Sequence, residues 1–248
     1  MSHLSNKVRH LSVFWTLILT SLALLTAGHL LIHGQTYGRH SGTTFHPLTF
    51  YVSDYAAKWP EGLWIKAGIL CFCLAIAWFC DLAISGLARG NWLLPARLFW
   101  LFVAGAMIGG VLLVVLFDML PDRYAEVQPG WFRKLLGAGP SLELVPRSSQ
   151  EWSMRWYHNL GFHLFITAFA VAASVLMLIE AKRKAWAEVA TSLFLLIATG
   201  LFTAWLSRGT LVPGVPQRAV LLLIAFWLVR SVYFLRAKTL AETIPQNS

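Results

Sequence analysis

Residues 98–117 read LFWLFVAGAMIGGVLLVVLF, twenty successive positions without one charged side chain. At ~1.5 Å rise per residue a helix of that length covers roughly 30 Å, the thickness of a bilayer's hydrocarbon core. A buried strand would be far shorter, so the run predicts a transmembrane helix. Five more runs meet the same criterion, at about residues 11–32, 63–84, 157–179, 187–206 and 219–235. The expectation is an all-α membrane protein, a single six-helix transmembrane bundle spanning residues 1–248. Trp15, Trp64, Trp100, Trp156, Trp186 and Trp205 lie near run ends, where amphipathic rings sit at headgroup level.

Composition agrees with that reading. Apolar residues make up 57% and charged residues 12%, against roughly a quarter charged in a soluble domain. The mean hydropathy is +0.63. The formal charge of +9 is scattered singly between apolar runs, which points to topology and lipid headgroups and excludes a nucleic-acid stripe. Residues 11–32 are too long for a signal-peptide core, and His29-Leu30-Leu31-Ile32-His33 stands where a small-residue cleavage pattern would follow, so a retained helix is expected. Cys71, Cys73 and Cys80 share one apolar run and read as inert packing residues.

Lys and Arg are densest on four short segments that include Lys7, Arg9, Arg89, Arg97, Lys182, Arg183, Lys184, Arg236 and Lys238. The positive-inside bias then predicts cytoplasmic N- and C-termini in a bacterial cytoplasmic (inner) membrane, with the Lys182-Arg183-Lys184 turn as the strongest anchor. Two long connections, about 34–62 and 118–156, fall outside. Pro and Gly break up the second, where residues 131–136 read as a short amphipathic helix lying on the leaflet. No internal repeat is present.

On this topology four segments bring polar groups to one outer rim. His29 and His33 end the first helix, Ser53 and Asp54 precede the second, Asp118 and Asp122 close the third, and His158 and His163 open the fourth. His29 and His33 are four apart and point the same way, a spacing that lets both imidazoles hold one divalent metal, with Asp118 or Asp122 and His158 completing a tetrahedron. Hydrogen bonding to headgroups is the alternative for both histidines. Asp118 and His163 qualify best as intramembrane ionisable groups, both expected just below the outer interface. Arg230 and Asp81 lie toward the opposite ends of their helices and read either as an ion pair or, for Arg230, as a side chain snorkelling to lipid phosphate. Gly105 and Gly109, followed by Gly110, have the spacing for close helix approach within the bundle or at a helix-mediated homo-oligomer contact.

The segment FHPLTFYVSDYA, residues 45–56, is neither apolar enough to span nor polar enough for an idle linker. Its His46-Pro47-Leu48 and Val52-Ser53-Asp54-Tyr55, the Asp118-Met119-Leu120-Pro121-Asp122 after the third helix, Tyr157-His158-Asn159-Leu160-Gly161, and Pro213-Gly214-Val215-Pro216-Gln217-Arg218 occur in one order. That order resembles the bacterial and archaeal membrane proteins grouped as domain of unknown function 998 (DUF998), related to a wider Frag/DRAM-like group. The resemblance implies a recurring polar set at Pro47, Ser53, Asp54, Asp118, Pro121, Asp122, His158, Gly214, Gln217 and Arg218, and it supplies no reaction. Residues 45–56 would then be a re-entrant or surface-lying segment, with Phe45, Phe50, Tyr51 and Tyr55 against the bundle and Arg218 as partner to Asp54 or as a phosphate clamp.

Four functions compete. The leading one is a site for a lipid headgroup or isoprenoid phosphate, with Asp54, His158 and Asp118 as candidate catalytic groups and Ser53, Asp122, Gln217, Arg218 and His163 as ligand contacts. The others are a non-catalytic membrane scaffold with a membrane-protein partner, a metal-dependent hydrolase using His29 and His33, and a haem or quinone redox protein using intramembrane histidines.

Overall fold

A computed structural model describes residues 2–35, 52–87, 93–117, 124–127, 141–144, 149–208 and 214–241. Its order is α1 (Ser2–Ile32), α2 (Val52–Ala57), α3 (Gly62–Leu87), α4 (Leu93–Leu116), β1 (Tyr124–Val127), β2 (Ser141–Leu144), α5 (Ser149–Lys182), α6 (Trp186–Arg208) and α7 (Gly214–Ala241). Six of these helices, all but α2, are long and apolar enough to cross a membrane. Their apolarity has a local counterpart in hydrogen bonding. Thr16, Thr191 and Ser207 turn their hydroxyls back to the carbonyls of Ser12, Ala187 and Thr203, at 2.8, 2.8 and 2.9 Å, so each donor is satisfied inside its own helix.

The helices pack as a chain of neighbours: α1 on α3, α3 on α4 and α7, α4 on α5, α5 on α6, and α6 on α7. At the centre an edge-to-face series of rings joins four of them. Phe79 of α3 meets Trp100 of α4 at 5.6 Å and Trp227 of α7 at 5.2 Å, and Phe169 of α5 meets Trp227 at 5.2 Å. Interplanar angles of 88°, 68° and 89° place ring edges on ring faces, the arrangement favoured by the aromatic quadrupole. Trp100 therefore departs from the sequence expectation. It is fully buried against Phe79 instead of marking a headgroup boundary, whereas Trp64, Trp156, Trp186 and Trp205 are exposed as expected. Outward faces carry Leu101, Phe102, Phe194 and Leu201, apolar side chains suited to lipid contact. Cys73 and Cys80 lie in the core, and all three thiols are free.

The close helix approach occurs at a different pair of glycines from the one the spacing suggested. A Cβ on Gly105 or Gly109 would meet nothing within 4 Å, so neither is a point of close helix approach among the described residues. Gly110 and Gly161 instead bring α4 and α5 together: a Cβ on either would fall 2.6 Å from the other's carbonyl oxygen. The connection between α4 and α5 also holds a short antiparallel ladder that sequence reading did not anticipate, with Tyr124 opposite Leu144 and Val127 opposite Ser141. Strands of four residues are too short to show a period above the surrounding Gly and Pro. The amphipathic helix expected at residues 131–136 lies outside the described residues.

The α5–α6 turn is a Schellman motif. Ala185 N–H bonds the Glu180 carbonyl at 3.0 Å and Lys184 N–H the Ala181 carbonyl at 2.9 Å, with Lys184 in the left-handed region at φ 59°. This tight closure sets Glu180 and the first turn of α6 side by side.

Candidate functional site

The described polar residues gather at the two ends of α7. Near its first turn lies α2, whose six residues are too few to hold a helix by local hydrogen bonding alone. Tertiary contacts hold it. Gln217 Oε1 accepts the Val52 N–H at 2.6 Å, capping a donor that a helix start leaves open. Gly62 provides the room, because a Cβ there would run into the Tyr55 and Ala56 carbonyls. Val52, Tyr55 and Ala56 then join Ile32 of α1 and Ile65 of α3 in a small apolar cluster.

Tyr55 is the hub. Its ring is fully buried, the His29 imidazole stacks on it at 4.4 Å with a 34° tilt, and the Arg218 guanidinium carbon stands 5.4 Å from its centroid. Arg218 also donates from Nη1 to the Gly214 carbonyl at 3.0 Å. Asp54 is buried beside them, close enough for its carboxylate to act on both Tyr55 and Arg218. Burial pushes the Tyr55 phenol above its ordinary value of 10.0; the Arg218 charge opposes that rise and the Asp54 charge adds to it. His29 is fixed from the other side, with Nδ1 at 2.7 Å from the Leu25 carbonyl.

The expected residues separate into groups. Asp54, Gln217 and Arg218 lie together around α2, with His29 and with Tyr55, which sequence reading treated only as a packing ring. The signal for Tyr55 was its place beside Asp54 in a segment too polar to span. His33 is exposed one turn beyond His29, and His163 is exposed on α5, with the Phe162 ring 6.1 Å away. His158 is hydrogen-bonded to the carbonyls of Val114 and Phe117 at the end of α4. The neighbouring Tyr157 stacks on Phe117 at 4.9 Å. No three His, Cys, Asp or Glu among the described residues stand close enough to hold a metal. The side chain of Ser53, and Pro47, Asp118, Pro121 and Asp122 altogether, lie outside the described residues.

At the far end of α7, about 18 Å along at ~1.5 Å per residue, Arg230 corrects a second expectation. Its guanidinium turns into the protein, and Asp81 is exposed. Its Nε donates to Glu188 Oε2 at 2.7 Å, Nη2 to Glu180 Oε1 at 2.8 Å and to the Glu188 carbonyl at 2.7 Å, and Nη1 to Ser192 Oγ. The Ser192 hydroxyl in turn donates to Glu180 Oε2 at 3.0 Å. Glu180 is wholly buried and Arg230 nearly so, while Glu188 is 42% exposed. The missed signal was a Glu on each side of the Lys182-Arg183-Lys184 turn. Glu180 directly follows the apolar run that ends at Ile179, so it looked like the start of a loop.

Against known proteins, residues 27–231 match the model of a family described as protein of unknown function (DUF998). No curated protein and no solved structure matches the chain.

Proposed function

Because the chain belongs to DUF998, a family of multi-pass membrane proteins whose description carries no activity, we propose its function from the α2 cluster: it binds a phosphate-bearing headgroup, of a membrane lipid or an isoprenoid phosphate. Arg218 is the single observation that carries this reading. A half-buried guanidinium over a buried aromatic ring, in the first turn of an apolar helix, is a permanent positive charge in a place where charge is costly. A phosphate or phosphodiester is the anion its planar donor fork suits best. Asp54 balances that charge before the ligand arrives, and Gln217 keeps α2 seated above it.

Ser53, Asp118, Asp122 and His158 are further candidate contacts, proposed from the sequence motifs alone. The rim faces away from the cytoplasm of a bacterial inner membrane, an orientation supported by Lys182, Arg183 and Lys184 at the other end of the bundle. Native mass spectrometry of the protein purified in mild detergent tests the proposal. The parent is expected to carry a phosphate lipid whose occupancy falls tenfold or more in Arg218→Gln. If Arg218→Gln and Asp54→Asn keep every co-purified lipid at the parental level, the reading fails.

A further inference from the structure

We propose that His29 accepts a hydrogen bond from a hydroxyl group of the ligand, so that the site takes a phosphate ester carrying a free hydroxyl near the phosphate, as in a polyol or sugar phosphate headgroup. This inference rests on the phosphate reading of Arg218 and adds to it the chemistry of the group beyond the phosphate. A carbonyl oxygen can only accept, so the 2.7 Å contact between His29 Nδ1 and the Leu25 carbonyl puts a proton on Nδ1. In the neutral ring Nε2 is then the nitrogen with the free lone pair. That atom is covered from solvent and meets no donor among the described residues. A buried acceptor without a partner costs free energy, and nearly all such groups in folded proteins have one.

The ring cannot turn away to find a donor. Tyr55 stacks on it at 4.4 Å, and its Nδ1 is tied to Leu25. Gly28, the residue before it, lets α1 lie so close to α3 that a Cβ there would come within 2.6 Å of the Ile65 side chain. Arg218 narrows the choice of donor. Its guanidinium lies against the same Tyr55 ring, so an ammonium group reaching Nε2 would be placed beside a fixed cation. A hydroxyl donates without bringing a charge.

The test compares two lipids with the same single phosphodiester charge in nanodiscs holding the full chain: phosphatidylglycerol, which has free hydroxyls, and phosphatidylmethanol, which has none. The parent is expected to bind phosphatidylglycerol tighter by about tenfold or more, the scale set by leaving a buried acceptor unmet. In His29→Phe, which keeps a ring on Tyr55 and removes the acceptor, the ratio of affinities should fall to within about twofold of unity. Arg218→Gln should weaken both lipids. Free glycerol phosphate, added as competitor, separates the sources: displacement of the lipid from the parent assigns a soluble polyol phosphate, and failure to displace assigns a membrane lipid. Equal affinity of the parent for the two lipids, or an undiminished ratio in His29→Phe, overturns the hydroxyl contact and leaves the phosphate reading standing. Absence of binding to either lipid overturns both.

Discussion

At the scale of single residues, the contrast between Arg218 and Arg230 separates a candidate binding group from a structural one. Arg230 spends its donors on Glu180, Glu188 and Ser192, leaving nothing for a ligand to displace cheaply. Arg230→Met would strand the wholly buried Glu180 carboxylate and should cost about 3–5 kcal/mol, read as a large drop in thermal midpoint in detergent. The double variant Arg230→Met with Glu180→Met should recover much of that loss, because two apolar side chains leave no charge behind; a double variant as unstable as the single would sink this account. Tyr55 gives a second test. Its folded-state proton affinity is raised, chiefly by burial, so its contribution to stability is complete below about pH 10 and is lost as pH climbs further through the raised value. Tyr55→Phe keeps the ring and should show a shallower loss of stability above pH 10 than the parent in parallel melts. Asp54, Gln217 and Arg218 were legible because they stand in recognisable short motifs. The partners of Arg230 were not, since Glu188 and Glu180 are 42 and 50 positions away, a separation that carries no periodic signal.

Among the elements, each span announced itself by continuous apolarity, and the six predicted runs coincide with six of the helices. What apolarity hides is which face turns inward. Leucines point toward lipid and toward the core alike, so Trp100 was assigned to the wrong surroundings and Gly105 and Gly109 do not make the contact within the bundle that their spacing allowed. The actual contact of α4 with α5 gives a clear experiment. Gly110→Ala and Gly161→Ala each push a methyl group into backbone of the opposite helix, which cannot retreat as a side-chain tip can, and each should cost about 1–3 kcal/mol. Gly105→Ala and Gly109→Ala, which meet open space, should leave the melting temperature of the monomer near that of the parent. A reversed ranking would mean that α4 is rotated from the orientation described. Helix α2 was legible only as an odd polar segment, because six residues are shorter than any amphipathic window.

For the whole molecule, the proposed orientation makes opposite predictions for the two ends of the bundle. With Cys71, Cys73 and Cys80 replaced by Ala, a cysteine at the exposed Trp59 should react with a membrane-impermeant maleimide on intact cells, and one at Lys184 should react only after the membrane is opened. The reverse pattern would turn the bundle over and place the Arg218 site in the cytoplasm. Fold class and span count needed only composition and run length, but the centre of the bundle depended on pairings among Phe79, Trp100, Phe169 and Trp227 that four separate runs supply. Helix α7 is fastened near both extremities, through Gln217 to α2 and through Arg230 to α5 and α6. At ~100° of turn per residue those two fastenings project about 140° apart around its axis. A rod bolted in two directions at two heights resists both rolling and sliding, so the loss of either bolt should leave it freer to turn than the loss of a contact along its length.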